Sequence, residues 1–152
     1  MTAPERNGPW SPAEADSFLQ DAVIPMRLSA VSPAGWPVVL SLWFLYEDGA
    51  FIAASRPNAR IVKLLEGNPR CGFEVAREAP PYCGVRGQGK ATLDAAVGEA
   101  VLGRLAARYL GETETPFRRW LMAGAADEVA IIIRPVRLMT WDYRGRMADS
   151  GG

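Results

Sequence analysis

The residues best equipped for chemistry cluster in "SRPNARIVKLL", residues 55 to 65, where Ser55, Arg56, Arg60 and Lys63 surround an apolar stripe of Ile61, Leu64 and Leu65 at helical spacing. A hydroxyl and guanidinium groups at a helix entrance suit an anion. The first N–H groups of a helix have no partner within it, the helix dipole favours negative charge there, and Arg adds a two-pronged hydrogen bond. The plain alternative is a solvated helix face. Little else in the chain can transfer protons or attack a substrate. Histidine is absent from all 152 residues, which removes the usual general base near neutral pH, the Ser-His-Asp and Cys-His systems and most zinc sites. Cys71 and Cys83 form no CxxC pair and read as ordinary thiols. Enzymatic chemistry here would be borrowed from a bound cofactor that the polypeptide positions.

The totals narrow the setting. Lys plus Arg number 17 and Asp plus Glu number 17, so no global field favours nucleic acid or an anionic membrane. The start, "MTAPERNGPW", lacks the apolar centre of a signal peptide, and the longest apolar run, "WPVVLSLWFLY", is too short to cross a bilayer. With two cysteines and no disulfide framework, these features predict a cytoplasmic protein with neither membrane nor nucleic acid as partner. The length fits one domain over residues 1–152 with a core that needs no staples, and residues 1–10 and 146–152 read as flexible ends.

Local signals then place the elements. Ser11, Pro12 and Glu14 make a capping box that opens a helix over about 12–22. "MRLSAVS" alternates, "SPAG" turns, and "WPVVLSLWFLY" continues as a β-branched and aromatic strand, giving a hairpin. "EDG" turns again and "AFIAAS" returns as a third strand, so the three predict an antiparallel meander. A short helix covers the Arg60 stretch and stops at "GNP". Strands follow at 70–76 and 84–93, separated by the proline-rich "REAPPY" loop. Asp94 is positioned to cap a helix over about 95–110 that stops at Gly111, and Thr115 with Pro116 starts another. "EVAIIIRP" and "VRLMTWDYRG" read as two strands interrupted at Pro135. About seven hairpin-linked strands with helices outside predict a small, partly closed barrel. "GVRGQG" lacks the GxGxxG spacing of a dinucleotide loop, and its glycines suit close approach of another backbone or a flat ligand.

The ordered series "RLSAV", "PVVLSLWFLYEDG", "FIAAS", "ARIVKLLEGNPR" and "PPYCGVRGQGKATL" resembles the pyridoxamine 5'-phosphate oxidase-like group, which includes flavin and deazaflavin oxidoreductases. The resemblance spans about residues 24–93, with weaker support from "RPVRLMTWDY". It implies a mainly β fold, a six- to seven-stranded antiparallel split β-barrel with flanking helices, acting as a homodimer with FMN at the subunit interface. Carried over by position, Val38, Val39, Leu40, Ser41, Leu42 and Trp43 would lie along the isoalloxazine ring, and Ser55 would bind the cofactor phosphate. Arg60 matches the Arg of an Arg-Lys phosphate clamp, whereas the Lys position holds Ile61, leaving Arg56 or Lys63 to supply the charge. Gly84 and Arg86 match the strand where the neighbouring subunit meets the ring, and Trp141 would close the pocket. The resemblance therefore implies an FMN-dependent oxidoreductase acting by hydride transfer on a small organic substrate. Its alternatives are a reductase using the deazaflavin coenzyme F-420, and a binding module without catalysis. Vitamin-B6 oxidase chemistry itself is disfavoured, because the Arg-x-His tract of the true oxidase cannot exist without histidine.

Overall fold

In the computed structural model, which describes residues 2–149, the chain folds as a curled sheet with helices at its ends and on one outer face. Strands β1 (Glu5–Asn7), β2 (Met26–Val31), β3 (Pro37–Leu42), β4 (Leu45–Glu47) and β5 (Ala50–Ser55) fill the first third, with helix α1 (Pro12–Asp21) between β1 and β2. Helix α2 (Arg60–Gly67), strands β6 (Arg70–Ala76) and β7 (Cys83–Asp94), and helices α3 (Gly98–Leu110) and α4 (Pro116–Ala123) follow. Strand β8 (Val129–Asp142) and helix α5 (Arg144–Asp149) complete the described chain. The sheet order is β3-β2-β6-β7-β8-β5-β4, antiparallel throughout, with β1 added in parallel beside β8. This is a mainly β, half-closed barrel with flanking helices.

Three sequence expectations change. The run "WPVVLSLWFLY" is not one strand: it breaks at Trp43 and Phe44, and β3 and β4 lie at opposite edges of the sheet. The expected meander is therefore two separate hairpins, β2-β3 and β4-β5. The two-residue link also brings both sheet edges to one corner. The physical reason is burial on both sides, since Phe44 turns into the main core while Trp43 packs outside it against α3. Likewise, Pro135 does not interrupt a strand. β8 runs unbroken past it because Gln88 pairs with Arg137 and Gly89 with Pro135, leaving Val136 as a bulge that absorbs the missing N–H.

The ends carry regular structure of their own. Within residues 1–10, β1 pairs Glu5, Arg6 and Asn7 with Arg137, Leu138 and Met139. Within 146–152, residues up to Asp149 continue α5, whereas Met1 and residues 150–152 lie outside the described residues. Helix α3 starts three residues later than expected, because Asp94 accepts a hydrogen bond from the Ala96 N–H in a turn and does not cap the helix. Gly98 opens it instead: a Cβ there would lie 1.8 Å from the Glu128 carbonyl oxygen, so only glycine lets α3 seat against the start of β8.

The interior is packed by Leu19 from α1, Phe44, Phe51, Phe73, Ile131 and Ile133, with Ile61, Val62, Leu64 and Leu65 of α2 closing one side. Alternation along β2 decides which side chains enter it, with Met26, Leu28 and Ala30 buried between Arg27, Ser29 and Val31. A second, smaller core joins α3 to the outer face: Val101 and Leu105 meet Leu45 and Ala130. Among the described residues, no helix is long and apolar enough to cross a membrane.

Candidate functional site

Where the sheet edges meet, α3 and α4 stand off from the β3-β4 bend and leave a groove of about 330 Å³. Its apolar walls are Leu42, Trp43, Leu102, Leu105, Phe117 and Leu121, and its polar groups are Ser41, Ser55, Arg56 and Glu128. The register explains the meeting. Ser55 ends β5 opposite Val129, the first residue of β8, so Glu128 arrives beside Ser55 and Arg56. Trp43 is fixed by stacking on Tyr109, with ring centroids 5.0 Å apart and planes 6° off parallel. Tyr109 is anchored in turn: its hydroxyl donates to the Ile24 carbonyl at 2.9 Å and accepts from the Phe44 N–H at 3.2 Å. The groove therefore has one rigid aromatic wall.

Glu128 is the unusual member. It is only 7 % exposed, and among the described residues no hydrogen bond or ion pair reaches its carboxylate. Burial pushes its carboxyl above the usual range, and the Arg56 charge partly offsets this. Arg56 lies along Gly124, where a Cβ would sit 3.2 Å from its Nη2 atom. Other ionisable groups offer no ready nucleophile. Burial lifts the Cys71 thiol to about 11 and raises that of Cys83, so neither favours the thiolate.

The entrance of α2 follows Ser55 in the chain, after Arg56, Pro57 and Asn58. Ala59 occupies the N-cap position with no side-chain hydrogen bond, and the first turn holds no acid. Three cations approach it but diverge. Arg56 turns toward Gly124 and Glu128, and Lys63 pairs with Glu66 at 3.6 Å. Arg60 is exposed and, among the described residues, forms no ion pair. Ile61, at the clamp's Lys position, is 3 % exposed within the main core. Its place in the packing accounts for the apolar side chain.

The other predicted residues fall elsewhere. Val38, Leu40 and Leu42 lean on the main core, whereas Val39 and Arg86 line a second cavity of about 490 Å³ on the outer sheet face. There the Arg86 guanidinium contacts the Met139 sulfur at 3.3 Å. Gly84 pairs with Trp141, whose ring tilts against Tyr143 and whose buried Nε1 lacks a partner among the described residues. Trp141 follows Val129 along β8 by about 40 Å at ~3.3 Å per residue, so a single chain does not bring it to Ser55. The predicted set thus divides into the Ser41–Trp43, Ser55 and Arg56 groove, the α2 entrance, core-packed Val38 and Leu40, the cavity shared by Val39 and Arg86, and the distant pair Gly84 and Trp141. Sequence reasoning missed Glu128, Tyr109, Phe117 and Leu121. Only packing gives them a role, although the Thr115–Pro116 helix start did place α4.

No family model and no curated protein matches the sequence. Solved structures do. A conserved hypothetical protein of Mycobacterium tuberculosis superposes with TM-score 0.78 at 20% identity, over 96% of this chain and 93% of that one. An F420 reductase gives TM-score 0.68 at 24% identity, over 84% of this chain and 98% of that one. A FAD-binding protein of Mesorhizobium loti gives 0.64 at 18% identity, over 85% and 92% respectively. The fold is the pyridoxamine 5'-phosphate oxidase-like split β-barrel, as the resemblance implied.

Proposed function

We propose that the protein binds a flavin-type cofactor through its phosphate and acts as an oxidoreductase on a small organic molecule. One observation carries this reading: the open N-terminus of α2, whose N-cap Ala59 comes four residues after Ser55, has no side-chain cap, no first-turn acid and an Arg60 that forms no ion pair among the described residues. Unsatisfied helix N–H groups together with Arg and Ser form a fitting cradle for a phosphate ester. Ser55, Arg60 and the first N–H groups of α2 would hold that ester, and Val38 to Trp43 would flank the ring system. Once bound, such a cofactor supplies hydride transfer, while the chain supplies position and electrostatics. Gly84, Arg86 and Trp141 lie too far from Ser55 to serve the same pocket in one chain, so the reading requires a homodimer in which the partner contributes them.

FMN is the first candidate. The deazaflavin coenzyme F-420 is a second reading, favoured by the loss of the clamp Lys to a buried Ile61 and by the F420 reductase among the fold's relatives. Fluorescence titration with FMN, riboflavin and F-420 tests both. Saturable binding at micromolar concentration, with FMN or F-420 well ahead of riboflavin, is expected. Equal affinity for FMN and riboflavin would remove the phosphate role, and no binding of any of the three would leave a non-catalytic module. Light scattering on the same sample should give a dimer.

A further inference from the structure

Charges on the outer sheet face are matched across strands, with one exception. Arg27 stands opposite Glu74, Glu74 stands opposite Arg86, and Arg137 meets Glu5 at 3.1 Å and the Gln88 side-chain oxygen at 3.2 Å. The exception is the row that sets Arg70 of β6 opposite Lys90 of β7, and Lys90 opposite Arg134 of β8. Residues paired in register share a face of the sheet and neighbouring strands lie about 4.8 Å apart, so three cations form a line about 10 Å long. Directly opposed like charges destabilise a strand pair. All three are exposed, and among the described residues their side chains form no hydrogen bond or ion pair. The nearest acid on that face of β6, Glu74, is four residues from Arg70 and faces Arg27 and Arg86 instead. With 17 basic and 17 acidic residues in the chain, the row is no by-product of a basic protein.

The row also borders a cavity. A space of about 620 Å³ is lined in part by Arg70, Lys90, Ser29, Gln88, Val31 and Val136, and no acid lines it. Gln88 accepts from Arg137 through its oxygen and keeps its NH2 group for a ligand. Val31 and the bulged Val136 are 41% and 54% exposed, which gives the space apolar shoulders.

We propose that this row binds a small diphosphate ester, with Arg70, Lys90 and Arg134 on the linked phosphates and Val31 and Val136 against an apolar body. The charge count and the spacing decide the class. A single phosphate or carboxylate is too short to reach all three cations, whereas two linked phosphates span neighbouring ones, carry about three negative charges between them and fit the forked donors of Arg. A long polyanionic chain would run on into rows that hold Glu74 and Glu5. The place is separate from the cofactor groove: Arg134 follows Val129, the register partner of Ser55, by about 16 Å along β8 at ~3.3 Å per residue. The proposal therefore stands apart from the oxidoreductase reading.

Calorimetric titration of the full chain at fixed ionic strength, with inorganic diphosphate, orthophosphate and dimethylallyl diphosphate, tests it. Inorganic diphosphate should bind one per chain, roughly tenfold or more tighter than orthophosphate, and the ester should bind at least as tightly. Lys90→Gln should weaken diphosphate roughly tenfold or more, yet raise the thermal midpoint of the ligand-free chain, because it removes the repulsion at the centre of the row. Arg119→Gln, which removes an exposed cation of α4, should leave diphosphate affinity unchanged. No saturable binding, equal affinity for diphosphate and orthophosphate, an ester much weaker than inorganic diphosphate, or an affinity unchanged by Lys90→Gln would each overturn the proposal. Loss of diphosphate binding in Arg60→Ala but not in Lys90→Gln would overturn it too, by assigning the anion to the start of α2. So would a wild-type chain that ignores diphosphate while Lys90→Gln changes the oligomeric state in light scattering, since a second copy would then cover the row. FMN titration of Lys90→Gln keeps the two readings apart, because FMN affinity should stay at the wild-type value whether or not diphosphate binds.

Discussion

Helices α1 and α2 begin in opposite ways. At α1, Ser11 accepts from the Glu14 N–H at 3.2 Å, the Glu14 carboxylate accepts from the Ser11 N–H at 3.2 Å, and Pro12 removes a further N–H. At α2, Ala59 offers no acceptor, and the nearest charges, Arg56, Arg60 and Lys63, are all positive. The first helix therefore closes its own amino end, while the second leaves N–H groups open with Arg60 as its first residue. Both helices bury apolar residues in the same core, so packing does not account for the difference. A cap is the cheapest way to satisfy those groups, and its omission at Ala59 is what a resident anion would explain.

The largest effect that would break this contrast comes from Arg60→Ala. One charge-assisted hydrogen bond is worth about 1.5–3 kcal/mol, so FMN affinity should fall roughly 10- to 150-fold while riboflavin affinity holds. Equal loss for the two ligands in parallel titrations would mean that Arg60 does not face a phosphate. Ala59→Asp sharpens the comparison by giving α2 the cap it lacks. The backbone at Ala59 is already extended (φ −65°, ψ 144°), as an N-cap requires. The apoprotein should gain about 1 kcal/mol in thermal unfolding, and FMN should bind more weakly because a carboxylate now occupies the open N–H groups. A stabilised variant with unchanged FMN affinity would move the phosphate elsewhere. The mirror experiment, Ser11→Ala, should cost about 1 kcal/mol and lower the melting midpoint by about 2–4 °C with no change in cofactor affinity. Any loss of FMN binding there would show the two helix ends to be coupled.

Features written in adjacent residues were legible. The Ser11 box, the Thr115–Pro116 start and the alternation of β2 each depend on contacts within a few positions, and the structure has all three. What the sequence hides is partnership across the fold. The run from Pro37 to Tyr46 is uniformly suited to a strand, so nothing local marks Trp43 and Phe44 as the place where one sheet edge ends and the other begins. Pro135 looks like a break because its compensation, the bulge opposite Gln88 and Gly89, lies on another strand. Glu128 opens the "EVAIIIRP" strand with no local mark of its surroundings; α3, seated through Gly98, makes it a residue only 7 % exposed that lines a groove. The spread of Arg56, Arg60 and Lys63 was hidden for the same reason, since Gly124 and Glu128, which draw Arg56 aside, come some seventy residues later.

Acid should separate the two helix entrances with the smallest effect of the set. Just ahead of the α1 cap, Trp10 donates from Nε1 to Asp142 at 3.0 Å, and Arg144 binds the same carboxylate through Nη2 at 2.6 Å. The Arg144 hydrogen bonds first, and that of Trp10 in addition, hold the Asp142 carboxyl well below the usual carboxylate range. A carboxyl depressed in the folded state stabilises the fold above its unfolded value, near ~3.9, and loses that contribution as pH falls toward its folded value. Arg144 is about half exposed, so solvent screening keeps the contribution modest. Below about pH 4, amide exchange at the start of α1 should quicken first, because the Trp10 ring loses its charged acceptor there while its N–H bond to Thr140 remains. The start of α2, tied down by buried Ile61 and Val62, should hold until global unfolding. Asp142→Asn should abolish that order, since its side chain no longer titrates. If both entrances open together in the wild-type chain, α1 owes nothing to Asp142, and the contrast between the helices rests on the caps alone.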